Sequence, residues 1–332
     1  LGSPNIASKI WVYGQYDHEV GIRTVTKPGY DASVLRLDNG KFLSIKIDGN
    51  PKQCYINPRE GAIGCFEEAC RNVVCTGAKP IGMLDHLQFG NPNDPEIFWT
   101  FLESLKGLTD FAKDFEIPCV GGKVSLYNET SDGPIKPTPV IGVIGLIDKK
   151  PLKIQKINSG DSLIMIGDTK DELGGSEYSE YIHKFIGGKC PAVDFSESKK
   201  NMNSVLDIIE NELIKSAHDC SKGGLTIAIS ELCMMNQIGC NVSLEKIPGE
   251  KLDSDKILFS ESHSRYLVTF ENKNLEKLEE VLKKHNVSYS LIGEFTGDSI
   301  LFSSDSKPII DLSVDKAQKT WFNSLKEMVL HA

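Results

Sequence analysis

Strand-length apolar runs alternate with segments of helical spacing along the whole chain. That alternation restricts the fold to mixed layers of sheet and helix. Phe42 to Asp48 reads as a strand ending in a polar loop, Gly49-Asn50-Pro51. Gly61 to Val74 carries apolar residues at helical spacing, stopped by Gly77 and Pro80. Ile81 to Leu87 is another strand, Asp94 to Phe115 a long amphipathic helix, and Pro139 to Ile147 a strand that is apolar throughout. Further on, Ser162 to Gly167, Arg265 to Phe270, Tyr289 to Phe295 and Ser299 to Ser303 read as strands. Met202 to Ser216, Gly224 to Asn236, Leu275 to His285 and Val314 to Leu330 read as helices. The expected fold class is α/β (α+β), with two mixed α/β domains.

A chain of 332 residues, at about 150 per domain, predicts two such domains. The polar stretch Asp148-Lys149-Lys150-Pro151 is the natural boundary. Residues 1–40 are expected to form an N-terminal linker or extension, 41–150 one α/β domain and 151–332 the other. Within the extension, Trp11 to Tyr16 reads as a short helix and Pro28-Gly29 as a turn.

Composition narrows the classes of function. The charge sum is 37 − 46 = −9 with no basic stripe, so neither nucleic acid nor a membrane surface is an expected partner. No apolar stretch approaches the ~20 residues that span a bilayer. Leu1 to Asn5 lacks the basic and apolar segments of a signal peptide, and a start at Leu1 rather than Met is expected of a fragment or trimmed chain. The nine cysteines form no Cys-x-x-Cys pair and are odd in number. Reduced thiols and a cytoplasmic location are expected.

Four constellations bear chemistry. On a helix, Glu68 and Asn72 fall on one face and offer two oxygens a turn apart. Asp48 at a strand end and Asp219 from the second domain would complete a hard-oxygen set suited to Mg²⁺ beside phosphates. The same spacing equally describes a solvated helix face and two turn-capping aspartates. Three glycine-rich turns, Gly121-Gly122-Lys123-Val124-Ser125, Leu173-Gly174-Gly175-Ser176 and Ser221-Lys222-Gly223-Gly224, would let backbone N–H groups approach an anion. None matches a P-loop or a dinucleotide fingerprint. Asp85 to Pro92 reads as a polar loop after a strand, where open α/β sheets bind ligands. Ser260 to Arg265 contains Ser, Glu and His, but no Gly-x-Ser-x-Gly elbow exists to make a hydrolase of it.

Several phrases together resemble one family. Ser3-Pro4-Asn5-Ile6-Ala7-Ser8-Lys9, Tyr16-Asp17-His18-Glu19-Val20, Glu68-Ala69-Cys70-Arg71-Asn72, Gln88-Phe89-Gly90-Asn91-Pro92, Gly121 to Glu129 and Glu172-Leu173-Gly174-Gly175-Ser176 resemble the second half of the phosphoribosylformylglycinamidine synthases. These belong to the aminoimidazole-ribotide-synthetase superfamily. The resemblance runs nearly the length of the chain and covers only the second of the family's two halves.

The resemblance implies a pseudo-twofold synthetase whose halves each carry an N-terminal and a C-terminal α/β domain. ATP phosphorylates the amide oxygen of formylglycinamide ribonucleotide, and ammonia from a separate glutaminase subunit displaces phosphate. The implied partners are the N-terminal half of the synthase, the glutaminase and the ribonucleotide substrate. Asp85, Gly122 and Ser221 match nucleotide contacts, Ser125 a substrate contact, and Asp48, Glu68, Asn72 and Asp219 a magnesium set. That set serves an auxiliary nucleotide site in larger family members. The family's catalytic histidine lies in the other half, so no catalytic residue is assigned here.

Two residues depart from the family pattern. Lys123 replaces the usual Asn and Lys222 the usual Asp. An ammonium has donors and no acceptor, so neither lysine ligates Mg²⁺. The resemblance leaves two other expectations open: a non-catalytic half with a structural nucleotide site, or a related ATP-using synthetase or kinase that works as a homodimer.

Overall fold

A computed structural model describes residues 1–331. The first residues form a strap that ends in a short helix, α1 (Ile10–Tyr13). Ser3 Oγ and Asn5 Nδ2 donate to the Glu177 carboxylate at 2.9 and 2.8 Å, and Trp321 Nε1 donates to the Ile6 carbonyl at 2.9 Å. Residues 3–6 are thereby fastened to the second domain. Residues 24–36 then enter the first domain as two strands. The span read as an extension thus touches both domains, because its strands are too short and mixed to show a period of two.

The first domain contains β1 (Thr24–Thr26), β2 (Ser33–Arg36), β3 (Phe42–Asp48), α2 (Pro51–Ile56), α3 (Pro58–Val74), β4 (Lys79–Gln88), α4 (Pro95–Asp114), β5 (Cys119–Ser125), a small hairpin of β6 (Glu129–Thr130) and β7 (Gly133–Pro134), and β8 (Thr138–Ile147). Six of these strands form one sheet, ordered β1-β2-β3-β8-β4-β5. Only the β4–β5 pair is parallel. α3 starts where Asn57 caps the N–H groups of Arg59 and Glu60, with Pro58 at its first position. The helix is buried on nearly every side, between the sheet and the second domain.

The second domain holds β9 (Ser162–Ile166), α5 (Phe195–Glu210), β10 (Ser216–Asp219), α6 (Gly224–Asn236), β11 (Cys240–Ser243), α7 (Ser254–Phe259), β12 (Tyr266–Phe270), α8 (Leu275–His285), β13 (Tyr289–Phe295), β14 (Ser299–Ser304), β15 (Lys307–Ser313) and α9 (Val314–Leu330). Its seven strands run β10-β12-β9-β13-β11-β14-β15. β9 is buried on both faces. Ile164 and Ile166 join the core shared with α3, α5 and α8, whereas Leu163 and Met165 join the core under α6. The shared core runs from Phe66 and Val143 in the first domain to Val205 and Val268 in the second, so the two domains are packed through one apolar interior.

Three local readings change. Gly121 to Ser125 lies in edge strand β5 rather than a turn, and Asp85 to Gln88 completes β4 rather than opening a loop. The helix read from Met202 to Ser216 starts at Phe195, where Asp194 caps it, and Ser216 already belongs to β10. Among the described residues no helix is long and apolar enough to cross a membrane.

Candidate functional site

A cavity of about 300 Å³ lies between the domains. The first domain lines it with Asp31, Lys46, Asp48, Glu68 and Asn72, and the second with His218, Asp219, Ser221, Lys222 and Glu231. Asp48 stands at the end of β3, and Glu68 and Asn72 one turn apart on α3. Asp219 ends β10, and the turn that follows presents Ser221 and Lys222 ahead of α6. The four residues proposed to hold a metal, together with Ser221, are therefore brought to one place.

Every one of the four is held by the chain's own donors. Lys222 Nζ lies 3.0 Å from Asp48 Oδ1 and 3.2 Å from Glu68 Oε1. Lys46 Nζ donates to Asn72 Oδ1 at 3.0 Å. Asn72 Nδ2 donates to Asp219 Oδ2 at 3.1 Å, and Arg71 Nη2 approaches the same oxygen at 3.2 Å. Burial and the nearby Glu68 push Asp48 up to about 6. Burial also opposes charge on Glu68, yet the Lys222 ammonium holds it below the usual carboxylate range. An ammonium between Asp48 and Glu68 and an amide N–H on Asp219 do not fit a divalent cation, which needs those same oxygens as ligands.

A second cluster abuts the first. His218 Nδ1 lies 2.9 Å from Asp31 Oδ1, and Nε2 lies 3.2 Å from Glu231 Oε2. Burial alone would lower this histidine, but the two carboxylates raise it well above its ordinary value. Asp31, His218 and Asp219 are close enough to bracket an ion. However, an imidazole that donates from both nitrogens has no lone pair left for one.

Asp85, Gly122 and Ser125 lie outside the cavity. The strand register aligns Asp48, Ile141, Asp85 and Gly122 in one row across β3, β8, β4 and β5. At about 4.8 Å per strand, Asp85 sits two spacings from Asp48, toward the open edge. A Cβ at Gly122 would overlap Asp85 Oδ1, so any larger residue here turns that carboxylate aside. Burial raises the Asp85 carboxyl above its ordinary value. Ser125 closes β5, and its Oγ donates to Asn128 Oδ1 at 3.3 Å. The opposite face of this sheet exposes Ile47 at 66%, Leu84 at 42% and Val120 at 58%.

Of the glycine-rich segments, only Ser221 to Gly224 reaches the cavity. Gly223 and Gly224 both take positive φ, 80° and 66°, which starts α6 without a side-chain cap. The Glu261 carboxylate accepts the Gly223 N–H at 2.8 Å and the Glu177 N–H at 2.8 Å. His263 is buried beside α3 and away from the cavity. Sequence reasoning missed Lys46, Arg71, Asp31 and Glu231. Lys46 and Asp48 share a strand face at a spacing of two, and Glu67 and Arg71 are four apart on a helix, so both signals were present. Asp31 sits in an irregular segment and gave none.

The family described as AIR synthase related protein, N-terminal domain, matches residues 29–147, and its C-terminal domain matches residues 158–304. The chain is 42% identical to the phosphoribosylformylglycinamidine synthase subunit PurL of Methanocaldococcus jannaschii, over 99% of this chain and 46% of that protein. It is 40% identical to the same subunit of Thermococcus sibiricus, again over 99% of this chain and 46% of that one. The chain thus spans about half the length of the curated relatives it matches. Among solved structures, T. maritima PurL complexed with FGAR superposes with a TM-score of 0.77 at 19% identity, over 89% of this chain and 49% of that one. A chain of the HypE–HypF complex superposes at 0.65 with 16% identity, over 93% of this chain and 98% of that one. These two structures share the fold.

Proposed function

The chain belongs to the AIR synthase related family through both of its domains, and from that membership we propose that it is the C-terminal half of an ATP-dependent carbon–nitrogen ligase of purine biosynthesis. The carrying observation is 40–42% identity to the PurL synthase subunit along 99% of the chain.

In this reading the whole enzyme converts formylglycinamide ribonucleotide to the amidine. The amide oxygen attacks the γ-phosphorus of ATP, ADP leaves, and the resulting phosphoryl ester makes that oxygen a far better leaving group than oxide. Ammonia adds to the same carbon and phosphate departs. Asp85 and Gly122 contact the nucleotide, the absent Cβ at Gly122 leaving room for the Asp85 carboxylate at the open sheet edge. Ser125 contacts the ribonucleotide. Ser221 contacts a nucleotide or its phosphates at the interdomain cavity. No step passes through Asp48, Glu68, Asn72 and Asp219.

The partners in this reading are the N-terminal half of the synthase, which covers the apolar sheet face around Ile47, Leu84 and Val120, and a glutaminase subunit that supplies ammonia. The compartment is the cytoplasm. The pairing of Asp48, Glu68, Asn72 and Asp219 with donors of the chain itself supports a second reading, in which this half is a non-catalytic partner with a structural site. A third reading is a related ATP-using synthetase or kinase acting as a homodimer, since a fold of this length covers 98% of a chain of the HypE–HypF complex.

Reconstitution separates the three. The purified chain, ATP, ammonium and formylglycinamide ribonucleotide are expected to give no amidine alone and to give it once the separately expressed N-terminal half is added. Turnover by the chain alone supports the homodimer. Assembly without turnover overturns the ligase reading.

A further inference from the structure

We propose that Lys222 is a tethered replacement for a divalent cation, which joins the carboxylates of the two domains so that the cavity assembles without metal. This stands whether or not the chain is a ligase half. Lys222 comes from the turn before α6 in the second domain, whereas Asp48 and Glu68 come from β3 and α3 in the first. Its Nζ sits at 3.0 and 3.2 Å from one oxygen of each. The carboxylates are almost fully buried and the lysine stem is three-quarters covered, so the triad is enclosed rather than a surface pair. Two carboxylates this close, and this buried, repel strongly without a cation between them.

The neighbouring donors follow the same plan. Lys46 Nζ holds Asn72 Oδ1 at 3.0 Å, and Arg71 and Asn72 Nδ2 share Asp219 Oδ2. Of the oxygens that would form a cation shell, Asp48 Oδ1, Glu68 Oε1, Asn72 Oδ1 and Asp219 Oδ2 each already take a donor of the chain. The carboxylate oxygens left over stand beside the Lys222 ammonium or share a carboxylate with the oxygen that Arg71 approaches, and a divalent cation placed there would meet those fixed positive charges. At the mouth of α6 the Glu261 carboxyl oxygen takes the Gly223 N–H that a phosphate would otherwise occupy. Cation and anion positions are both filled by side chains of the protein.

The test reads metal dependence of folding on the intact chain. Thermal melts of the wild type are expected to coincide in chelator and in millimolar Mg²⁺ at matched ionic strength. Titration with Mn²⁺ followed by electron paramagnetic resonance is expected to find no saturable site that Asp48→Asn removes. Lys222→Met should lower Tm by roughly 5–10 °C in chelator, and Mg²⁺ should restore most of the loss. The double variant Lys222→Met/Asp48→Asn should not be restored. A saturable Mn²⁺ site in the wild type that Asp48→Asn abolishes overturns the proposal, as does a folded Lys222→Met indifferent to Mg²⁺. If Lys222→Met does not fold, the wild-type Mn²⁺ titration decides: no saturable site sustains the proposal, and an Asp48-dependent site overturns it.

Discussion

The Arg71 guanidinium lies between Glu67, one turn back on α3, and Asp219 on the edge strand of the other domain. It is the most deeply buried cation joining the two halves of the cavity wall. Arg71→Met leaves Glu67 and Asp219 buried without a cation and should cost about 3–5 kcal/mol. The midpoint of urea unfolding measures it. Adding Glu67→Gln should recover part of the loss, because Ser198 Oγ and Ser264 Oγ, at 2.9 and 3.2 Å, still serve the Gln oxygen.

Glu261 sets a pH dependence. Burial outweighs its two backbone donors and pushes it from the ordinary 4.5 to about 7. Between those values the folded chain keeps a proton that the unfolded chain has lost, so stability falls as pH rises through the window. Relative to Glu261→Gln, the wild type should lose on the order of 3 kcal/mol from pH 4.5 to 7. Urea midpoints of both proteins across that range check the slope, and parallel curves would remove Glu261 as the cause.

Gly122→Ala should fold with unchanged Tm, because β5 is an exposed edge strand and Asp85 has room to turn aside. In the reconstituted synthase its KM for ATP should rise at least about tenfold, a change worth roughly 1.4 kcal/mol. An unaltered KM would separate Gly122 from the nucleotide.

Leu84→Lys puts a charge on the apolar sheet face. In the isolated chain this exposed change should stay within about 0.5 kcal/mol of wild type. On gel filtration the variant should no longer co-elute with the N-terminal half. Co-elution would place the partner elsewhere.

Cys119 is the exposed thiol among nine free cysteines, and the other eight are buried. A chromogenic disulfide reagent should titrate one thiol in the native protein and nine after unfolding in denaturant. A second fast thiol would reveal opening of the core around α3.

α3 and β8 were legible in the sequence because their apolar patterns are long and punctuated, by Gly77 and Pro80 after the helix and Pro139 at the head of the strand, although the helix begins three residues earlier than read, at Pro58. β5 was not, because Gly121-Gly122 is poor strand material, tolerated where a neighbouring carboxylate claims the space of a Cβ. Likewise β2, four residues long, is a strand only because β3 offers it an edge, and β1, three residues long, because β2 does. In the cavity, the residues implied by resemblance do converge, and Lys222 was marked as unable to ligate metal. That its ammonium would settle between Asp48 and Glu68 was hidden, because a four-carbon stem reaches many positions that spacing along the chain does not encode.

The row through Ile141 restrains how this sequence can vary. Alternate residues of β8 point to opposite faces, buried on one and half-covered on the other. One residue added between Pro139 and Ile147 would turn every side chain beyond it to the wrong face. Length changes in this strand are therefore confined to pairs, while the exposed turn at Ser131-Asp132 between β6 and β7 can take added residues at little entropic cost. Drift in the gene reaches the loop long before it reaches the alignment of Asp48 with Asp85.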